Sequence, residues 1–175
     1  MLLIAGFGGQ GVLFAGKFLA NLGLIDGREV SWLPSYGPEM RGGTANCSVI
    51  LSDQAVGSPI VSEPDVLIAM NLPSFQKYEP LVKSGGTIIL DSSLIPESTG
   101  RTDVRCFALP ATRLAAEAGF EGLSNMVLVG KFLKECLDAP EELIERTLAE
   151  VVGQKKADLL DANRSALAVG RAYEG

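Results

Sequence analysis

The sequence predicts an α/β fold, with an open, mostly parallel twisted sheet, helices on both faces and a helical C-terminal third. Short apolar runs such as Val66-Leu67-Ile68-Ala69-Met70 have the length and composition of buried strands. They alternate with longer segments in which apolar residues recur three or four positions apart, as in helices. The chain of 175 residues contains no internal repeat or long linker, so we expect one domain over residues 1–175.

Six strands are predicted from the apolar runs. They are Leu2–Ala5, Glu29–Leu33, Ala45–Leu51, Val66–Met70, Thr87–Asp91 and Val104–Leu109. In the run from Ala45 to Leu51, Cys47, Val49 and Leu51 fall on one side and Asn46, Ser48 and Ile50 on the other, and no helix fits before it. We therefore expect this strand to run antiparallel to a neighbour. Pro34 is expected to end the strand that precedes it.

Six helices are predicted between and after these strands. They are Gly9–Leu24, Pro73–Lys83, Thr112–Ala118, Asn125–Leu137, Pro140–Val152 and Lys156–Tyr173. In the first, Val12, Ala15 and Leu19 recur at helical spacing, and Gly16 beside them allows close packing of the helix on the sheet. Asp26-Gly27 is expected to end that helix.

The charge and hydropathy of the chain exclude several classes of function. The 15 Lys and Arg residues are outnumbered by 21 Asp and Glu residues, and the net charge is −6. Without a basic cluster, nucleic acid and anionic membrane surfaces are not expected as partners. No segment approaches the roughly 20 apolar residues of a membrane helix, and the apolar N-terminal stretch lacks the basic leading region of a signal peptide. We therefore expect a cytoplasmic protein.

The residues that most often carry catalysis or bind metals are scarce. The chain has no histidine, the commonest general base and metal ligand. Cys47, Cys106 and Cys136 are widely spaced, so we do not expect a zinc or iron–sulfur site built by this chain alone. Their apolar neighbours favour three buried free thiols. This composition argues against a self-contained enzyme.

A glycine-rich turn follows the first predicted strand. Its sequence, Gly6-Phe7-Gly8-Gly9-Gln10-Gly11, matches the G-x-G-x-x-G pattern that presents backbone N–H groups and a helix N-terminus to a phosphate. A nicotinamide site would also need an acidic residue at the end of the second strand, where the sequence is Trp32-Leu33-Pro34. We therefore expect Gly8-Gly9-Gln10-Gly11 to form a tight turn that lets a ligand or another backbone approach closely.

A second candidate region is the segment Pro34-Ser35-Tyr36-Gly37-Pro38-Glu39-Met40-Arg41-Gly42-Gly43. Its density of proline and glycine predicts a loop rather than a helix or a central strand. In one interpretation, Glu39 and Arg41 form an ion pair that fixes the loop. In the other, Tyr36, Glu39 and Arg41 contact a partner surface or an anionic ligand, because arginine binds carboxylate and phosphate groups well. Gly42 and Gly43 would then permit close approach.

Polar residues follow two of the predicted parallel strands. Asn71 comes after one strand, and Asp91-Ser92-Ser93 ends another. Because ligands bind beyond the carboxyl ends of the strands in open α/β sheets, we expect these residues to line one edge together with the glycine turn. Each is also a common helix-cap or turn residue, and Ser124-Asn125 is expected only to cap a helix.

Several motifs along the chain form a combination that is specific to one family. They are Ile4-Ala5-Gly6-Phe7-Gly8-Gly9-Gln10-Gly11-Val12, Ala15-Gly16, Ser35-Tyr36-Gly37-Pro38-Glu39-Met40-Arg41-Gly42-Gly43, Ser58-Pro59, Pro64-Asp65, Gly85-Gly86 and Asp91-Ser92-Ser93. Together they resemble the gamma subunit of the 2-oxoacid:ferredoxin oxidoreductases over nearly the whole chain. The 2-oxoglutarate type is the most similar, followed by the pyruvate and branched-chain types.

The resemblance implies a non-autonomous subunit of a hetero-oligomeric oxidoreductase. Such complexes decarboxylate a 2-oxoacid, transfer the acyl group to coenzyme A and pass two electrons through iron–sulfur clusters to ferredoxin. The resemblance further implies that thiamine diphosphate, Mg²⁺ and the clusters sit on thiamine-binding alpha/beta-type subunits and a ferredoxin-like subunit. This chain would then bind no cofactor alone and carry no catalytic residue. The glycine turn, the loop around Arg41 and Asn71 would contact sister subunits or the approaching coenzyme A.

Two other interpretations stay open at this point. A free-standing nucleotide-binding oxidoreductase domain would bind a nicotinamide or flavin cofactor by itself. A pure assembly scaffold would affect the assembly of a complex but not the turnover of each assembled complex. The identity of the 2-oxoacid is open, as are self-association of the isolated chain and whether the glycine turn holds a phosphate or part of a sister subunit.

Overall fold

Six strands and six α-helices span the described part of the chain, residues 1–36, 44–153 and 156–175 of a computed structural model. The strands are β1 (Leu2–Phe7), β2 (Glu29–Tyr36), β3 (Thr44–Ser52), β4 (Val66–Ala69), β5 (Thr87–Asp91) and β6 (Arg105–Leu109). The helices are α1 (Val12–Ile25), α2 (Leu72–Tyr78), α3 (Ala111–Glu117), α4 (Ser124–Phe132), α5 (Glu141–Val152) and α6 (Ala157–Ala172). A 3₁₀ turn (Glu79–Leu81) follows α2, and a π-helical turn (Leu133–Leu137) follows α4. No helix in these ranges is both long and apolar enough to cross a membrane.

The strands form one mixed sheet in the order β2-β3-β1-β4-β5-β6. Strands β1, β4, β5 and β6 pair in parallel, whereas β3 is antiparallel to both β1 and β2. The predicted α/β fold is therefore confirmed, including the helical C-terminal third. The strand predicted at Ala45–Leu51, which is β3, is antiparallel as expected. The antiparallel pairing follows from the short connection between β2 and β3, which leaves no room for a crossover helix.

Helices cover the two faces of the sheet unequally. On one face, α1, α3, α4, α5 and α6 bury a large core that includes Ile4, Phe18 and Leu128. On the other, α2 covers a smaller cluster that includes Leu3 and Phe75. Adjacent residues of β1 point to opposite faces, so Leu3 and Ile4 belong to different cores. The α2 side of the sheet is consequently the more thinly covered one.

Strand β2 corrects the prediction that Pro34 ends the second strand. It continues through Pro34, which lies opposite Cys47 of β3, as far as Tyr36. β2 is an outer strand whose partner in the sheet is β3. On an edge strand, proline is tolerated where its missing N–H would point away from the sheet, so no ladder hydrogen bond is lost.

Two predicted helices are shorter as α-helices than expected. The predicted helix Pro73–Lys83 gives way to a 3₁₀ turn after Tyr78, because Pro80 has no backbone N–H to donate to the carbonyl oxygen four residues before it. The predicted helix Asn125–Leu137 is α-helical to Phe132 and continues as the π-helical turn.

The three thiols are not equally buried. Cys47 is buried, and desolvation raises its pKa to about 12 despite opposing hydrogen bonds from Trp32 and Gly16. This thiol is therefore protonated at neutral pH. Cys106 is exposed and Cys136 partly exposed, so the expectation of three buried thiols is wrong. Cys106 lies on the outer strand β6 opposite Ile88, on the side of the sheet that α2 covers thinly.

Two glycines bring α4 and α6 into backbone contact. A Cβ atom added at Gly130 would overlap the backbone of Leu167, and one added at Gly170 would overlap the carbonyl oxygen of Val127. Each glycine therefore lies directly against the backbone of the other helix, and this contact fixes the separation of the two helices.

We predict that Gly170→Ala lowers the free energy of unfolding by about 1–3 kcal/mol, because the added methyl group forces two packed helices apart. Gly100→Ala is the matched control, since no atom lies within 4 Å of a Cβ built there. Denaturant unfolding followed by circular dichroism measures both. Equal stability of the two variants would contradict the close contact.

Candidate functional site

The predicted site residues that the structure describes gather at one edge of the sheet. Parallel strands β1 and β4 both end at this edge. The antiparallel strand β3 begins there, with Thr44 opposite Phe7. Strand β2 ends there, with Tyr36 opposite Ala45. Tyr36 and Thr44, the described residues on either side of segment 37–43, therefore lie at the same edge as the glycine turn.

The glycine turn joins β1 to α1 through Gly8, Gly9, Gln10 and Gly11. The backbone N–H of Gln10 donates to the carbonyl oxygen of Phe7 at 3.2 Å. Gly9 has a φ of 98° and Gly11 a φ of 76°, a region that glycine adopts without steric cost. Gly11 is the N-cap of α1, so the turn leads directly into the helix N-terminus.

The side-chain amide of Gln10 ties this turn to the sheet. Its Oε1 accepts hydrogen bonds from the backbone N–H of Phe7 at 2.6 Å and from Nδ2 of Asn71 at 3.1 Å. Its Nε2 donates to the carbonyl oxygen of Met70 at 3.0 Å. Gln10 was predicted to contact a ligand or a subunit. In the isolated chain, the side chain links the end of β1 to the residues that follow β4, and its contact with a ligand or a subunit stays a prediction.

Asn71 connects the same network to α2. It is 3% exposed, and its Oδ1 accepts a hydrogen bond from the backbone N–H of Ser74 at 2.9 Å. This bond caps the N-terminus of α2, in line with the capping role common for asparagine. The structure thus brings Asn71 and the glycine turn together. Whether Asn71 contacts a ligand or a sister subunit stays a prediction.

Asn125 is a further polar residue at this edge, and the sequence analysis expected only a helix cap there. It is 2% exposed, and its Nδ2 donates to the carbonyl oxygen of Gly11 at 3.1 Å. Its Oδ1 is buried without a hydrogen-bond partner among the described residues. The sequence contained a signal for this contact. An asparagine at the start of an otherwise apolar helix is expected to be buried with the helix, and a buried amide needs hydrogen-bond partners.

A mainly apolar cleft of about 430 Å³ opens beside the glycine turn. The residues that line it come from the turn, the first part of α1 and the start of β3: Phe7, Gly8, Gly9, Gly11, Val12, Leu13, Phe14 and Ala45. The first backbone N–H groups of a helix have no partners within the helix, and residues of the first turn of α1 line this cleft. The arrangement suits either a ligand that combines an apolar part with an anionic group or an apolar segment of another subunit.

Asp91 has a local structural role at the same edge. It is 1% exposed. Its Oδ1 accepts from the backbone N–H of Ser93 at 3.0 Å, and its Oδ2 accepts from the backbone N–H and the hydroxyl of Thr112. These bonds fix the start of α3, so the carboxylate is engaged within the protein.

Part of the predicted site falls on segment 37–43. Glu39, Arg41, Gly42 and Gly43 lie outside the described residues, and Tyr36 is described as backbone. Their contacts with a ligand or a partner stay predictions. In the described ranges, no group of three His, Cys, Asp or Glu side chains is arranged to hold a metal ion.

A family profile described as pyruvate ferredoxin/flavodoxin oxidoreductase matches residues 1–173. The chain belongs to this family. The resemblance that the sequence motifs indicated is therefore confirmed.

Members of the family include chains of different length. The ketoisovalerate oxidoreductase subunit VorA of Methanothermobacter thermautotrophicus is 40% identical over 95% of this chain, but the chain spans only 35% of the length of VorA. The 2-oxoglutarate synthase subunit KorC of Methanothermobacter marburgensis is 34% identical, with 96% of each chain covered. The crystal structure of the keto/oxoacid ferredoxin oxidoreductase gamma subunit of Geobacter sulfurreducens has a TM-score of 0.80 at 27% identity, covering 97% of this chain and 94% of that one.

We predict that Gly11→Ala destabilises the protein more than Gly9→Ala, by about 1 kcal/mol or more. Both substitutions place alanine at a positive φ, which costs about 1–2 kcal/mol. Only at Gly11 would the new methyl group also overlap the side-chain amide of Asn125, since nothing lies within 4 Å of a Cβ at Gly9. Thermal and denaturant unfolding measure the difference.

The double variant Gly11→Ala/Asn125→Ala provides the control. Removing the Asn125 amide should bring the cost of Gly11→Ala close to that of Gly9→Ala, each measured against its own parent. If Gly11→Ala destabilises the Asn125→Ala variant as much as it destabilises the wild type, overlap with the Asn125 amide is not what restricts position 11 to glycine.

Proposed function

We propose that this chain is a subunit of a multi-subunit 2-oxoacid:ferredoxin oxidoreductase. The complex would convert a 2-oxoacid, coenzyme A and two oxidised ferredoxins to acyl-coenzyme A, carbon dioxide, a proton and two reduced ferredoxins. The observation that carries the proposal is the match of family and fold over nearly the whole chain, including a KorC subunit of equal extent.

The chain itself supplies the rigid, glycine-lined edge at which sister subunits and coenzyme A meet. Coenzyme A combines phosphate groups with a largely apolar arm that ends in the reacting thiol. The backbone N–H groups at the start of α1 favour an anion. Phe7 and Phe14 supply apolar surface in the same cleft. Gly8 and Gly9 leave room there for the ligand or for a segment of a sister subunit.

Sister subunits would hold thiamine diphosphate, Mg²⁺ and the iron–sulfur clusters. Three observations on this chain agree with that division: Cys47, Cys106 and Cys136 lie apart, Cys47 is buried and protonated, and the described residues offer no cluster of metal ligands. The described residues therefore do not fit an iron–sulfur cluster or a metal ion. When bound by the sister subunits, thiamine diphosphate supplies the decarboxylation chemistry.

The sheet order argues against a free-standing nicotinamide-binding domain. In such domains, the acidic residue that binds the ribose lies at the end of the strand next to β1. Here β3 separates β2 from β1 and runs antiparallel to both. The end of β2 is thus displaced from the glycine turn, and it carries no acid between Trp32 and Tyr36.

Isolation of the native complex through a tag on this chain tests the proposal. We expect it to copurify with larger subunits that contain thiamine diphosphate and iron. That assembly should reduce ferredoxin in the presence of coenzyme A and one or more members of a panel of 2-oxoacids, including 2-oxoglutarate, pyruvate and branched-chain compounds. Recovery of the chain alone with a tightly bound nicotinamide or flavin would refute it.

The role of the cleft is tested by Gly9→Leu, with Gly27→Leu as the matched control. Both glycines have a positive φ and open space around a Cβ atom, so the backbone cost is the same and only Gly9 lines the cleft. We predict that Gly9→Leu raises the KM for coenzyme A about tenfold or more in the assembled complex, a loss of about 1.4 kcal/mol of binding.

Three outcomes of this comparison are informative. A raised KM in Gly9→Leu alone supports approach of coenzyme A through the cleft. Failure of Gly9→Leu alone to assemble would assign the cleft to a sister subunit. Equal kinetics and assembly for both variants would contradict any functional role of the glycine turn.

A further inference from the structure

A second cleft lies at the opposite edge of the sheet, where β4, β5 and β6 begin. Its volume is about 310 Å³, and its lining includes Asp65, Lys83, Arg105, Glu135 and Cys136. Five-residue parallel strands separate it from the edge that carries the glycine turn. It is therefore distinct from the site proposed for coenzyme A.

Both carboxylates in this cleft are already paired with a lysine. Nζ of Lys83 lies 2.9 Å from Oδ1 of Asp65. Nζ of Lys131, a residue whose side chain is 3% exposed, lies 3.0 Å from Oε1 of Glu135. Within the described ranges, the guanidinium of Arg105 is the positive charge of the cleft that these pairs leave unmatched.

Arg105 is oriented by groups that leave its charge uncompensated. Its Nη2 donates to Oγ1 of Thr87 at 3.0 Å, and its guanidinium carbon lies 5.7 Å from the ring centre of Phe107. No carboxylate of a described residue lies within 4.0 Å of it. By contrast, carboxylates pair with several other arginines of the described chain, namely Arg28, Arg101, Arg113, Arg164 and Arg171.

We propose that this cleft binds the phosphate or carboxylate group of a small anionic molecule, with Arg105 as its principal ligand. A guanidinium has five N–H donors, which match the oxygen atoms of such groups. The hydroxyl of Thr87 accepts a hydrogen bond from one N–H of Arg105, so the other N–H donors of the guanidinium are available to bind an anion. In a protein of net charge −6, the field of the whole molecule repels anions, and a local unmatched arginine is what such a site requires.

Titration of the full chain with inorganic phosphate and with succinate, at constant ionic strength, tests this site. Arg105→Gln removes the charge, and Arg146→Gln is the matched control. Arg146 is likewise exposed, has no described carboxylate within 4.0 Å and lies on α5 away from this cleft. We expect saturable binding of at least one anion to the wild type and to Arg146→Gln, weakened about tenfold or more in Arg105→Gln.

Alkylation of Cys136 locates the bound anion. In a Cys106→Ser background, which removes the other accessible thiol, the bound anion should slow the reaction of Cys136 with iodoacetamide. It should have no such effect in Arg105→Gln, whose circular dichroism spectrum is expected to match the wild type. Absence of saturable binding, equal weakening in both arginine variants or binding that leaves Cys136 unprotected would each overturn the proposal.

Discussion

The hydrogen bonds of one side-chain amide determine the geometry of the candidate site. Gln10 satisfies the backbone N–H of Phe7, the carbonyl of Met70 and the amide of Asn71 at once. Leaving a buried polar group without such a partner costs about 1–3 kcal/mol. The turn is thereby held against the sheet, and Gly6 follows from the same network, since a Cβ there would press on Oε1 of Gln10. A turn fixed in this way presents its N–H groups without having to become ordered on binding.

The described residues bury two separate apolar clusters, one on each side of the sheet. Relatives contain this domain both as a chain of equal extent, in KorC, and as 35% of a longer chain, in VorA. The matched region therefore occurs in relatives both as nearly the whole chain and as about a third of one. The exposed cleft at the glycine turn is the part of the domain that a partner or ligand would complete.

The sequence predicted those features that depend on neighbouring residues. Apolar runs located every strand, and Thr87–Asp91 matches at both ends. Some features that depend on distant residues were not predicted. Pro34 lies in a strand because β2 is at an edge, and the strand order is not visible in the sequence. The side chain of Gln10 turns inward to Met70, and Asn125 contacts Gly11 across most of the chain. Burial of Cys106 was expected from its apolar neighbours, but β6 is exposed where α2 does not reach.

We propose that this chain contributes a preorganised edge and acts only together with sister subunits. Reconstitution from separately purified components tests it most directly, with coenzyme A-dependent reduction of ferredoxin as the measured quantity. The account predicts negligible activity for this chain alone, low activity for the sister subunits alone and restored activity when the two are mixed in equal amounts. Full activity of the sister subunits without this chain, or ferredoxin reduction by this chain by itself, would contradict it.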